Sequence, residues 1–218
     1  MQNAITAIKN EIEAVKREYG LTQNVTIVAA SKTVAPERIN NLPNCGITIA
    51  GENRVQELLE KYDSVSGVEW HLIGALQTNK VKYVIDKVSL IHSLDRVSLA
   101  DEIDRQASKH GIKMPVLIEV NTGREESKSG IMPEDALEFM KYVVSKPNLV
   151  LKGVMGVFPI NAPDELYEQL KQISDQAKEL YGADILSAGM SNDYLKAIRF
   201  GSNMVRIGSA IFGKREYK

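Results

Sequence analysis

The chain has 218 residues, 44% hydrophobic and 25% charged, the profile of an ordinary globular protein long enough to bury a substantial core. Its formal charge of −1 offers neither the basic excess that draws nucleic acid nor the acidic excess of a disordered chain. A single cysteine, Cys45, excludes an intramolecular disulfide and a cysteine zinc motif, and the longest apolar runs fall well short of the ~20 residues that cross a bilayer.

The first twenty residues, MQNAITAIKNEIEAVKREYG, read as an amphipathic helix, with Ile5, Ile8, Ile12 and Val15 at helical spacing. Charges interrupt it too often for the apolar region of a signal peptide, so the expected location is the cytoplasm. Short β-rich runs then alternate with helical stretches. The runs are VTIVAAS ending near Lys32, ITIAGEN near Asn53, VEWHLIG near Gly74 and LIHSLD near Asp95. They continue with PVLIEVNTG near Gly123, LKGVMGVF near Phe158, ADILSAGM near Met190 and MVRIGSAIFG near Gly213. Their apolar character is continuous, as in strands buried on both faces. Lys80, Lys82 and Lys87 fall among Val81, Val84 and Ile85 and read as the solvated face of a helix. Asp95 precedes a helix that Gly111 stops; Pro133 opens another, with Pro147 just beyond it; Pro163 opens a third, with Gly182 after it.

Eight β/α units without a Gly/Ser-rich or Pro-rich linker predict α/β class: one (β/α)₈ TIM-type barrel over residues 1–218, with an extra N-terminal helix. An open doubly wound sheet is the alternative. It would place a glycine-rich turn after the first strand, where this chain has Ser31-Lys32-Thr33.

In such a barrel, chemistry sits at the C-terminal ends of the strands. Lys32 ends the first strand, where partial burial makes an amine nucleophilic and able to form a Schiff base; a solvated strand-exit lysine is the plainer reading. Gly189-Met190-Ser191-Asn192-Asp193 follows the seventh run, and Ser191 reads as the N-cap of the helix through Tyr194 and Ile198, with or without an anion bound there. Arg206-Ile207-Gly208-Ser209-Ala210 lies on the eighth run, where Gly208 permits close backbone approach and Ser209 offers a hydroxyl and an N–H. Barrels commonly bind phosphate in the loops after strands seven and eight. A nucleophilic lysine facing a phosphate cradle is the minimum set for a phosphorylated aldehyde.

Several ordered motifs sharpen this. Ser31-Lys32, Gly51-Glu52-Asn53, Glu69-Trp70-His71-Leu72-Ile73-Gly74, Leu76-Gln77-Thr78-Asn79-Lys80, Ser127-Lys128-Ser129-Gly130, Gly189-Met190-Ser191 and residues 204–213 together resemble the pyridoxal phosphate homeostasis protein family. That family is the single-domain relative of the alanine racemase N-terminal barrel. The resemblance implies a bound pyridoxal 5′-phosphate, with Lys32 carrying it as a Schiff base and Ser191, Gly208 and Ser209 holding its phosphate. It also implies that Arg206 faces the pyridine nitrogen. A permanent cation cannot accept a proton there and disfavours a pyridinium, leaving the ring a weaker electron sink. Asn53 is a candidate for the ring or its phenolic oxygen and Met155 for an apolar wall; core or rim packing is the alternative for each. The stretch from Asn121 to Glu126 carries no implication.

Other candidates weigh less. His71 reaches either the barrel mouth or a structural hydrogen bond, whereas His92 and His110 read as structural. Cys45 reads as inert packing, and Lys214-Arg215-Glu216 with Tyr217 as a solvated end. The function implied is a carrier or regulator of pyridoxal phosphate in the cell, with pyridoxal-phosphate-dependent apo-enzymes as possible recipients and no nucleic-acid or membrane partner. An amino-acid racemase is the rival. Racemisation needs acid/base groups on both faces of the ring. In two-domain racemases one is a tyrosine from an added β domain, for which a chain ending at Lys218 leaves no room; the same absence points to a monomer. A cofactor-free Schiff-base aldolase is a third reading, but Lys152 begins its strand and so stands at the wrong end.

Overall fold

The computed structural model describes residues 1–125 and 128–213. Ser127 of the Ser127-Lys128-Ser129-Gly130 motif and the tail with Tyr217 therefore lie outside the described residues. The predicted barrel is present. Strands β1 (Thr26–Ala30), β2 (Ile49–Glu52), β3 (Glu69–Leu72), β4 (Leu90–Leu94), β5 (Met114–Val120), β6 (Leu149–Gly156), β7 (Ile185–Ser187) and β8 (Met204–Ile207) pair in sequence order, all parallel. The barrel closes where β1 returns to β8, with Thr26 opposite Met204 and Ala29 opposite Ile207.

Period-two alternation divides each strand between two environments. Val28, Ile73, Leu90, Leu117, Met155 and Met204 form a small separate cluster filling the lumen. Ala29, Ala50, Leu72, Ile91, Val116, Val154 and Ile207 face outward into a larger core under the helices. Both strand faces are buried, which is why the runs read as continuously apolar.

The helices are α1 (Gln2–Glu18), α2 (Pro36–Ile39), α3 (Val55–Tyr62), α4 (Val97–His110), α5 (Ala136–Val144), α6 (Asp164–Tyr181), α7 (Tyr194–Arg199) and α8 (Ser209–Phe212). Helix α1 is the extra N-terminal helix, burying Ile5, Ile8 and Ile12. Gly111 and Gly182 end α4 and α6 in the left-handed conformation, as their positions predict. None of the described helices is long and apolar enough to cross a membrane.

Four local expectations change. The eighth run is too long as a strand: β8 stops at Ile207, and Ser209–Phe212 turns into α8. A short apolar run does not by itself distinguish strand from buried helix. The Lys80 region is a 3₁₀ helix, Thr78–Tyr83, rather than an amphipathic α-helix. Ser191 is not an N-cap; α7 begins at Tyr194 behind Asp193. Lys152 does not begin its strand as expected: β6 starts at Leu149, and Lys152 is its exposed fourth residue, because the preceding Leu149-Val150-Leu151 also pair in the sheet.

Candidate cofactor site

At the C-terminal mouth of the barrel, a cavity of about 570 Å³ brings together Lys32, Ser191, Arg206, Gly208 and Ser209. That volume suits a small-molecule cofactor. Five of the seven sequence candidates therefore meet across one space, although they come from opposite ends of the chain. Asn53 and Met155 are not among the described residues lining it. Met155 packs in the lumen below, 1% exposed, so the apolar wall expected of it lies beneath the floor. Asn53 follows β2 with its Oδ1 buried and without a hydrogen-bond partner.

The anion side is built from two backbone segments, the turn before α7 and the start of α8. Ser191 Oγ accepts from the N–H of Gly208 at 3.3 Å and of Ala210 at 3.4 Å. Two backbone donors thus converge on one oxygen at the start of α8, an arrangement suited to an anionic group. Gly208 permits close approach: a Cβ there would lie 3.0 Å from the Ala30 carbonyl, a tight contact that the exit of β8 or β1 would have to relieve by a few tenths of an ångström. Asp193 fixes the preceding turn. Its Oδ1 accepts the Met190 N–H at 2.7 Å, and its Oδ2 accepts the Tyr167 hydroxyl at 2.9 Å. Burial and that carboxylate push the Tyr167 hydroxyl pKa up. Lys196 also lines the cavity, with its ammonium 2.7 Å from the Ala162 carbonyl and 2.6 Å from Asp164. Sequence reasoning did not select Tyr167 or Lys196; they face this cavity only because α6 and α7 pack beside each other's N-termini.

Arg206 forms the floor. The residue is 4% exposed, and its guanidinium donates to the Ser187 carbonyl at 2.8 Å, the Ser187 hydroxyl at 2.7 Å and the Gly156 carbonyl at 2.8 Å. Burial lowers its pKa to about 10, opposed by Glu119 and Asp193, so it remains a cation at neutral pH. The contacts continue inward. Ser187 Oγ is 3.1 Å from His92 Nδ1, and His92 Nε2 is 3.0 Å from His71 Nδ1. Burial lowers the His71 pKa to about 4 and, with His71 and Arg206 nearby, holds His92 well below the ordinary range. Both rings are neutral at pH 7, which resolves His71 as a structural histidine supporting the floor.

Glu119 shares the lumen. Burial, helped by Asp95 and opposed by Arg206, raises its pKa to about 7, and its Oε2 has no hydrogen-bond partner. Nothing in its strand context marks it, because LIEV reads simply as a buried run.

Comparisons with known proteins identify relatives of this chain. The family described as alanine racemase, N-terminal domain, matches residues 4–216. A pyridoxal phosphate homeostasis protein of Aquifex aeolicus is 46% identical over 88% of this chain and 87% of its own length. This chain belongs to the pyridoxal phosphate homeostasis protein family. The Haemophilus influenzae family member is 39% identical over 100% of the chain and 97% of its own. Among solved structures, PipY of Synechococcus elongatus with PLP bound superposes with a TM-score of 0.78 at 26% identity, covering 93% of this chain and 99% of that one. An alanine racemase of Clostridium difficile shares the fold, with a TM-score of 0.77 at 18% identity over 99% of this chain and 58% of its own.

Proposed function

We propose that this family member binds pyridoxal 5′-phosphate at the barrel mouth, attached to Lys32, and serves the cell as a carrier or regulator of that cofactor. The observation that carries the reading is that Lys32 shares one cavity with Ser191, Gly208 and Ser209, where the Gly208 and Ala210 N–H groups converge on the Ser191 Oγ. The residues fit the group. The two converging N–H groups and the Ser191 and Ser209 hydroxyls suit a phosphate, and the half-buried Lys32 suits a carbonyl partner. When bound, the cofactor would supply an aldehyde carbon, and Lys32 would hold it through its amine as a Schiff base. Arg206 sits beneath, fixed by Ser187 and Gly156, and keeps a positive charge on the floor where the ring nitrogen is expected.

The side chains around the cavity favour holding over turnover. Tyr167, the tyrosine that lines it, commits its hydroxyl to Asp193, and Lys196 is tied to Asp164 and Ala162. Neither is poised as a second base of the kind racemisation requires. Monomeric behaviour, location in the cytoplasm, and apo-enzymes as recipients belong to the same proposal.

The purified protein is expected to be yellow, and borohydride to fix the cofactor's mass on Lys32. A colourless protein that gains no mass after incubation with pyridoxal phosphate would sink the reading. Exchange of D- and L-alanine at enzymatic rates would replace the carrier by a racemase.

A further inference from the structure

Lys32 stands between two residues whose backbones are pinned, and both pins lead to one buried ionic cluster behind β1. Ser31 is fully buried with every polar group engaged. Its N–H donates to the Gly51 carbonyl at 2.9 Å, and its own carbonyl accepts from the Val34 N–H at 2.9 Å. The same carbonyl accepts from the Lys61 ammonium at 2.9 Å. The Ser31 hydroxyl lies 2.8 Å from Glu52 Oε1 and 3.2 Å from the Gly51 carbonyl. On the other side of Lys32, the Thr33 N–H donates to Glu57 Oε1.

Lys61 joins the two sides. Besides Ser31, its ammonium donates to Glu52 Oε1 at 2.8 Å and Glu57 Oε1 at 2.7 Å, so its three protons have three acceptors. The cluster is costly to bury. Glu52 is fully buried and Lys61 7% exposed, and a buried ion pair often contributes no net stability over an apolar replacement. Burial pushes the Glu52 carboxyl above its ordinary range, against the pull of Lys61 and Ser31. Thr33 adds a second cost. A β-branched residue at φ 64° is in the left-handed region, where it is strained and persists only when its surroundings hold it there. Strain and buried charge coincide on the two residues flanking one lysine.

We propose that Glu52, Lys61 and Glu57 are positioning residues that clamp the peptide on both sides of Lys32 and fix the direction in which its amine enters the cavity. The proposal rests on the reading of Lys32 as the attachment point. A lysine side chain is a flexible lever with its reactive atom at the far end, so a small tilt at its base moves the amine out of line with the carbonyl. Misplacement by ~1 Å costs on the order of a hundredfold in rate for well-oriented reactions. The clamp leaves the phosphate cradle untouched, because that is built from α8 and the turn before α7.

The test separates attachment from binding. Lys61→Met keeps most of the stem volume and removes all three donors; Glu57→Ala removes the Thr33 partner on a more accessible side chain. Each is compared with the unaltered protein in two measurements. One is the rate at which pyridoxal 5′-phosphate becomes fixable on Lys32 by borohydride. The other is the affinity for pyridoxine 5′-phosphate, which has the ring and phosphate but no aldehyde. Attachment is expected to slow by about tenfold or more in Lys61→Met, and less in Glu57→Ala, while affinity for the alcohol is unchanged. Attachment at the unaltered rate overturns the clamp, and so does a parallel loss of both properties, which would mark mere support of the fold. If Lys61→Met does not fold, Glu57→Ala decides on the same two readings. Absence of mass on Lys32 in the unaltered protein would overturn the cofactor reading itself; normal labelling of both proteins alike would overturn only the clamp.

Discussion

At Ser191 a single hydroxyl occupies the place where two backbone N–H groups converge. Its removal in Ser191→Ala takes away one neutral hydrogen-bonding group, worth about 0.5–1.5 kcal/mol, so affinity for pyridoxal 5′-phosphate is expected to fall roughly three- to tenfold. Affinity for pyridoxal, which lacks the phosphate, is expected to stay level; titration with the two ligands checks this, and equal losses would remove Ser191 from the phosphate cradle. Glu119 yields a pH dependence with a definite sign. Its folded pKa is raised from 4.5 to about 7, so the unfolded chain ionises more readily and stability is lost as pH rises through that window. Glu119→Gln removes the loss. In the cofactor-free protein the variant is expected to match the parent near pH 4.5 and to exceed it by about 1–3 kcal/mol at pH 8. Urea denaturation across pH checks it, and a constant difference would remove Glu119 as the titrating group. On the acid side, His71 has a folded pKa lowered to about 4 and must charge on unfolding, so its contribution is lost as pH falls from 6.5 towards 4.

Helix α1 is the element that the barrel pattern alone does not require. Its Ile5 is 0% exposed, packed in the outer core, and its Glu11 accepts from the Tyr194 hydroxyl of α7. Ile5→Ala is expected to cost about 2–5 kcal/mol, the usual price of a cavity at a buried large side chain. Chemical denaturation measures it, and a loss below about 1 kcal/mol would show that α1 is loosely docked. Elements differed in how plainly the sequence announced them. Strands β1 to β7 were legible because both their faces are buried. The helix stops at Gly111 and Gly182 were legible because left-handed closure needs glycine locally. The boundary inside MVRIGSAIFG was not, since Ile211 and Phe212 are buried in either conformation. Ser191 was misread as a cap because Asp193, two residues on, offers the same chemistry; the turn geometry selects the second.

For the whole molecule, ligand and stability are linked. If Lys32 anchors the cofactor, saturating it at a hundred times its dissociation constant stabilises the fold by about 2.7 kcal/mol. Lys32→Ala is expected to keep the cofactor-free stability of the parent while losing borohydride fixation and most of this ligand-induced gain. A remaining, phosphate-dependent gain is expected through Ser191 and Ser209. Thermal unfolding with and without pyridoxal 5′-phosphate reads all three, and an undiminished gain in the variant would remove Lys32 as the anchor. The sequence by itself determined the barrel and the family and set Lys32, Ser191, Gly208 and Ser209 at strand ends, because these depend on local signals: continuous burial, strand ends, small residues in turns and motifs in a fixed order. Only the tertiary structure decided what supports them. The His71–His92–Ser187–Arg206 chain joins four strands across the lumen, β3, β4, β7 and β8, and Glu119 becomes perturbed only by the dielectric that closure creates. Glu52, Lys61 and Glu57 likewise look like ordinary charges along the chain. They become a clamp on Lys32 only when α3 folds back against β1 and excludes water from between them.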